Sequence, residues 1–99
     1  MNIKKKESET KTIFSLTGTL DTNTAPQLEE VLIPEFEKVK HIEINFSEIE
    51  YVSSAGLRVL LMGTNTAEAK DSKLEISGVS EEIMEIFEMT GFADILTII

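Results

Sequence analysis

The spacing of apolar residues changes several times along the chain and divides it into strands and helices. Residues 11–17 are rich in β-branched and aromatic side chains, and residues 42–46 alternate between apolar and polar side chains, so both segments are predicted as strands. Residues 2–8, 73–77 and 95–99 are predicted as three further strands.

Apolar residues recur at helical spacing in three segments, which begin after Thr24, Ser54 and Ser80. The apolar face of the first segment is predicted to contain Leu28, Val31, Leu32, Phe36 and Val39. The predicted order is therefore β-β-α-β-α-β-α-β. Strands that alternate with helices indicate an α/β fold, with a mixed sheet of four to five strands, parallel pairs and helices mainly on one face.

Several residues mark the ends of these helices. Thr24 and Gln27 have the spacing of a capping box at the start of the first helix. Pro34 removes a backbone donor from the same helix, so a kink or a break is expected just before it. Ser80 is predicted to cap the last helix, and Gly91 is the expected left-handed residue at its end.

Composition excludes several classes of protein. The 99 residues carry a formal net charge of −9, with 18 acidic and 9 basic side chains, so no basic face for nucleic acid is expected. The chain has no cysteine and a single histidine, His41, which leaves few partners for a nucleophile or a metal. We therefore expect no catalytic residues, no metal and no cofactor.

Location is inferred from what the sequence does not contain. No apolar run approaches the length of a membrane span, and no signal-peptide core follows the first residues. These features predict a cytoplasmic protein without direct membrane insertion.

The segment from Tyr51 to Leu61 is the most informative part of the chain. The strand at residues 42–46 leads through a short polar link to Ser53 and Ser54, and a helical pattern begins at once after them. The first N–H groups of a helix have no internal partner, and the helix dipole favours negative charge there. A serine in this position can cap the helix. Once phosphorylated, it places a phosphate dianion close to the free N–H groups of the first turn. The pattern favours a serine switch over a catalytic centre.

Three motifs resemble one known family. These motifs resemble those of STAS domains of anti-sigma-factor antagonists. They are the Thr-Gly-Thr-Leu-Asp run in residues 17–25, the Ser-Ala-Gly-Leu run in residues 53–57 and the Ile-Phe-Glu-Met-Thr-Gly-Phe run in residues 79–92. The motifs follow one another at family spacing over nearly the whole chain. The resemblance implies a single STAS domain over residues 1–99.

The resemblance also implies a function and a set of partners. An unphosphorylated antagonist of this family binds an anti-sigma factor, a serine kinase of the histidine-kinase-like ATPase superfamily, and so releases the sigma factor. Phosphorylation of the motif serine, which aligns with Ser54, ends the binding, and a serine phosphatase restores it. The first-loop aspartate of the family aligns with Asp21.

Two loops are expected to form the partner-binding surface, because the carboxyl ends of neighbouring parallel strands meet at one edge of a sheet. The expected partner-binding residues are Asp21, Thr22, Asn23, Thr24, Ser53, Ser54, Ala55, Gly56 and Arg58. Ser53 replaces an aspartate that many members have, and Ala55 replaces a second serine. The two adjacent serines therefore both stay candidates for phosphorylation.

Each candidate also has a structural interpretation. Ser54 can be a helix cap, Asp21 a turn residue, Gly56 a site of close packing and Arg58 half of a surface ion pair. Two other functions stay open. One is a docking or scaffold subunit of a sensory assembly or of a membrane transport complex, without a phosphorylation switch. The other is nucleotide binding or hydrolysis, although no phosphate loop of the Gly-Lys-Ser/Thr type is present.

Overall fold

The computed structural model describes residues 1–99, which form one four-stranded sheet and three α-helices. The elements in chain order are β1 (Asn2–Glu7), β2 (Lys11–Leu20), α1 (Ala25–Glu35), β3 (His41–Val52), α2 (Ser54–Ala69), β4 (Lys73–Ser77) and α3 (Glu81–Thr90). A short 3₁₀ helix, Phe92–Asp94, follows α3.

The sheet has the strand order β1-β2-β3-β4. β1 and β2 form an antiparallel hairpin, whereas β2, β3 and β4 are parallel to one another. The predicted mixed α/β sheet is therefore confirmed. Leu20 pairs with Val52 at the ends of β2 and β3, so the loops that leave these two strands lie side by side.

Alternate residues of the central strands form the core. In β3, Ile42, Ile44 and Phe46 are fully buried, as the alternation predicted. The buried side chains that the helices contribute against this face include Leu28, Leu32, Leu60, Ile83 and Phe87. Val31 does not belong to the core, because it is 38% exposed on α1, so its predicted place on the buried face is wrong.

The other side chains of the central strands form a polar network. The Lys11 ammonium lies 2.8 Å from a Glu43 carboxylate oxygen, and the Ser77 hydroxyl donates to Glu43 at 2.6 Å. These two contacts hold the pKa of the Glu43 carboxyl below its usual value. His41 contacts Glu75 on the neighbouring strand.

Two predictions about α1 need correction. The helix does not break before Pro34 but runs through it and ends one residue later, at Glu35. Pro34 has no N–H to donate to the carbonyl of Glu30, so the helix continues through it with one backbone hydrogen bond fewer. Thr24 is the N-cap residue, but its side chain makes no cap hydrogen bond and binds the preceding loop instead.

The buried Glu35 fastens the end of α1 to the hairpin. Its carboxylate lies 2.9 Å from the Lys5 ammonium of β1 and accepts a hydrogen bond of 2.7 Å from the Thr12 hydroxyl of β2. Burial would raise the pKa of this carboxyl, but the bonds from Lys5 and Thr12 outweigh that effect, and the pKa is lowered. The buried Glu35 carboxylate is therefore paired with a cation and also accepts a hydrogen bond, as a buried charge requires.

Helix α2 extends to Ala69 although its second half has low helix propensity. The hydroxyls of Thr64 and Thr66 donate to carbonyls one turn earlier, at 2.9 and 2.8 Å. Gly63 is buried between α1 and β4, where an added Cβ would lie 2.8 Å from a methyl carbon of Leu32. Tertiary packing therefore maintains a helix that local sequence preference alone would end earlier.

The end of the chain differs from the expectation. Ser80 caps α3 by accepting from the Ile83 N–H at 3.2 Å, and Gly91 ends that helix with φ of 82°, as predicted. The segment predicted as a fifth strand, residues 95–99, forms only a single bridge between Ile98 and Ile76. Residues 92–94 form the 3₁₀ helix and therefore cannot belong to a strand. Pairing with β4 begins only after this helix, near Ile98.

Candidate functional site

The two loops named in the sequence analysis meet at the carboxyl edge of the sheet. Residues 21–24 connect β2 to α1, and Ser53 connects β3 to α2. The Ser53 N–H donates to the Leu20 carbonyl at 2.9 Å, which continues the strand pairing beyond Val52. Parallel pairing therefore brings together residues that lie about thirty positions apart in the chain.

Asp21 organises the first loop. Its carboxylate accepts hydrogen bonds from the backbone N–H groups of Asn23 and Thr24, at 2.9 and 3.1 Å, and from the Thr19 hydroxyl at 3.2 Å. These bonds, led by the one from the Thr24 backbone, hold the pKa of Asp21 below its ordinary value. The geometry gives Asp21 the turn role that was one of its two interpretations.

The Thr24 hydroxyl makes two further hydrogen bonds within this loop. It donates to the Thr19 carbonyl at 2.7 Å and accepts from the Asp21 N–H at 2.8 Å. Thr24 is half-buried, whereas Thr22 and Asn23 are exposed. In the first loop, Thr22 and Asn23 are therefore the most accessible residues, and Asp21 is half-buried.

The two serines have different environments. Ser53 is the N-cap residue of α2 with an extended backbone, and its Oγ is buried without a hydrogen-bond partner. Ser54 is the first residue of α2 and is exposed. The interpretation of Ser54 as the helix cap is wrong, because Ser53 occupies the cap position. Of the two hydroxyls, only that of Ser54 is open to an enzyme from solution.

Gly56 lies inside the protein rather than on the expected binding surface. It is buried, and an added Cβ would lie 2.7 Å from Cγ and 2.8 Å from the carbonyl oxygen of Leu20. Its missing side chain lets the first turn of α2 approach the end of β2. Ala55 beside it is half-buried. Gly56 therefore positions the serines and is not itself a contact surface.

Arg58 is exposed one turn after Ser54, and no ion pair of the structure includes it. Both side chains line a shallow cleft of about 380 Å³ between α2 and the end of α3. The remaining lining residues are Leu57, Leu61, Thr90 and Phe92. Thr90 and Phe92 were not predicted as neighbours of the serine, because only the packing of α3 against α2 brings them there.

The residues that line the cleft beside Ser54 include no histidine and no carboxylate. No group of three or more His, Cys, Asp or Glu side chains is arranged to hold a metal ion. His41 lies at the start of β3, and the serines follow the end of that strand. None of the helices combines the length and the apolar composition that a membrane crossing requires.

Comparison with known proteins identifies the family of the chain. The family described as "STAS domain" matches residues 2–99. The chain belongs to the STAS domain family. Among curated relatives, the anti-sigma-B factor antagonist of Staphylococcus epidermidis is 36% identical over 80 residues, which are 80% of this chain and 74% of that protein. The family match and the 36% identical antagonist confirm the predicted resemblance to anti-sigma-factor antagonists, which are regulators and not enzymes.

Solved structures extend the comparison of this STAS domain to the fold. The unphosphorylated form of the anti-sigma factor antagonist SpoIIAA matches with a TM-score of 0.78 at 16% identity, over 99% of this chain and 87% of that one. The phosphorylated form of Bacillus SpoIIAA matches with a TM-score of 0.77 at 17% identity, over 99% and 91%. The STAS domain described here thus has the same fold as both forms of that protein.

Proposed function

We propose that this STAS domain is an anti-sigma-factor antagonist that is switched off by phosphorylation of Ser54. In its unphosphorylated state it binds an anti-sigma factor that is also a serine kinase, and a serine phosphatase reverses the modification. The observation that carries this proposal is the environment of Ser54, an exposed hydroxyl on the first residue of α2 beside a buried one. The 36% identical antagonist supports the choice of partner.

The position of Ser54 suits a phosphate. A phosphoserine carries about −1.5 to −2 charges at neutral pH. At the start of α2 these charges lie near N–H groups that have no partner in the helix, and the dipole stabilises them by about 1 kcal/mol. The fold is therefore expected to tolerate the modification, and the similarity to both forms of SpoIIAA supports this expectation.

The same phosphate opposes docking. Binding of a partner over Ser54 would remove water from the dianion, and a buried charge without a good partner costs several kcal/mol. A loss of that size weakens an affinity by orders of magnitude. The switch therefore acts through local desolvation and repulsion, while the backbone keeps its shape.

Mapping the modified residue tests the proposal. The protein is incubated with ATP and the anti-sigma factor encoded in the same organism, and the phosphopeptides are identified by mass spectrometry. We expect phosphate on Ser54, no phosphate on a Ser54→Ala variant and unchanged modification of Ser54 in a Ser53→Ala variant. Phosphate on Ser53 alone, or none on either serine, would contradict the proposal.

A further inference from the structure

Arg58 is the one cationic side chain that lines the cleft beside Ser54. It is the single arginine of a chain with 18 acidic residues and a net charge of −9. It is exposed and forms no ion pair, which is also true of Lys4, Lys6, Lys38, Lys40 and Lys73, whereas the ammonium groups of Lys5, Lys11 and Lys70 each lie beside a carboxylate. An unpaired guanidinium on an acidic protein is the group that an incoming carboxylate would meet most favourably, because its planar fork binds carboxylates through two parallel hydrogen bonds.

The cleft beside Arg58 is lined by apolar side chains. Leu57, Leu61 and Phe92 line it, with a volume of about 380 Å³. An open cleft of this kind fits a protruding side chain of another protein better than a small ligand, which needs an enclosed pocket to bury most of its surface. A buried apolar anchor beside an arginine is a common centre of protein interfaces.

We propose that Arg58 and this cleft form a docking pocket for the anti-sigma factor, which inserts an apolar side chain flanked by a carboxylate, and that phosphate on Ser54 competes for Arg58. The proposal rests on the function proposed above and adds the residue through which the switch acts. The occupant is inferred from charge complementarity, since a second copy of a chain with a charge of −9 would be repelled.

The competition follows from helix geometry. Ser54 and Arg58 are four residues apart on α2, so their side chains lie on the same face, and both line the cleft. A phosphate on Ser54 has oxygens that the guanidinium binds in the same way as a carboxylate. Once the two are paired, the partner's carboxylate loses its cation and meets a dianion instead.

The first test measures docking of the unphosphorylated protein. Affinity for the anti-sigma factor is compared by calorimetry between the wild type, Arg58→Gln, Arg58→Lys and the control Lys73→Gln, which removes an exposed cation at the start of β4 that also forms no ion pair. We expect Arg58→Gln to weaken binding about tenfold or more, Arg58→Lys to restore part of the loss, and the control to bind like the wild type. Leu61→Gln, checked for an unchanged melting temperature, should also weaken binding.

The second test needs neither kinase nor partner. Phosphoserine is incorporated at position 54 during translation, and the second pKa of the phosphate is measured by ³¹P NMR. A neighbouring cation favours the dianion and lowers this pKa. It should therefore be higher in Arg58→Gln than in the wild type by about 0.3, and unchanged in Lys73→Gln.

The outcomes separate the two proposals. If the wild type does not bind the anti-sigma factor, the proposed function fails, and the docking pocket fails with it. If the wild type binds and Arg58→Gln binds equally well, only the docking pocket is overturned. Equal phosphate pKa values in wild type and Arg58→Gln would overturn the competition. A dimer of the protein alone that Arg58→Gln dissociates would assign the cleft to a second copy and overturn the proposal.

Discussion

At the scale of single residues, serines at the starts of helices have different roles. Ser53 and Ser80 both occupy N-cap positions, but only Ser80 caps through its side chain. Ser53 has a buried hydroxyl oxygen without a partner, and Ser54 has an exposed one. The chemistry of a serine at a helix start is therefore decided by the direction of its side chain, which the sequence does not specify.

This difference predicts the stability of two matched variants. Ser53→Ala removes a buried polar atom that has no hydrogen bond, so the free energy of unfolding should stay within about 0.5 kcal/mol of the wild type or increase. Ser80→Ala removes a cap and should lower the free energy of unfolding by about 1 kcal/mol. Urea denaturation followed by circular dichroism measures both. A larger loss for Ser53→Ala than for Ser80→Ala would contradict the described environments.

Asp21 predicts a dependence on pH. Its folded-state pKa lies below the ordinary value of 3.8, so its contribution to stability is complete above that value and is lost as the pH falls through the lower, folded pKa. Asp21→Asn should therefore lower the melting temperature at pH 7, and the difference from wild type should shrink towards pH 3. Thermal melts across this range measure the difference. The same difference at both ends of the range would exclude the charged hydrogen bonds as its cause.

At the scale of elements, the site depends on how closely α2 approaches the end of β2. Gly56 allows that approach, and the Ser53 N–H bond to the Leu20 carbonyl fixes it. The strand-to-helix order and the serine at the helix start were predictable from spacing and turn residues. Close packing was one of two interpretations of Gly56, and the sequence could not decide between them, because a glycine has no side chain whose polarity would indicate a face.

Gly56→Ala tests this contact. The added methyl group would lie 2.8 Å from the Leu20 carbonyl oxygen, which is backbone and cannot move without shifting β2. Overpacking of this kind costs about 1–3 kcal/mol, so Gly56→Ala should destabilise the protein by that amount.

Gly63→Ala is the matched comparison for Gly56→Ala. Its nearest neighbours are side-chain carbon atoms of Leu32 and Leu74, at 2.8 and 3.0 Å, which can adjust more easily than backbone. It should be less destabilising, because alanine also favours the helix by up to about 1 kcal/mol. Chemical denaturation gives the free energy of unfolding of both variants. A larger loss for Gly63→Ala than for Gly56→Ala would contradict the described packing of α2.

At the scale of the whole molecule, the fold was more predictable than the site. Alternation in residues 42–46 and helical spacing after Ser54 depend on local sequence, and both elements form. β3 however continues to Val52, through the residues that were expected to form a polar link. The segment 95–99 forms one bridge instead of the expected strand. Of the kink or break expected near Pro34, the break does not occur, since the helix runs through Pro34 to Glu35. Both outcomes depend on tertiary packing as well as on local sequence. The cleft next to Ser54 was not predictable, since its walls come from α2 and from Phe92, far apart in the chain.

The central claim is that the charge on Ser54 controls docking while the fold is unchanged. The most direct measurement is the affinity of the anti-sigma factor for the unmodified protein and for protein with phosphoserine at position 54, with Ser54→Ala as the control and circular dichroism as the test of folding. We expect Ser54→Ala to bind like the wild type, and the phosphorylated protein to bind at least about 100-fold more weakly with the same spectrum. Equal affinity of the phosphorylated and unmodified proteins, or loss of binding through unfolding, would contradict the account.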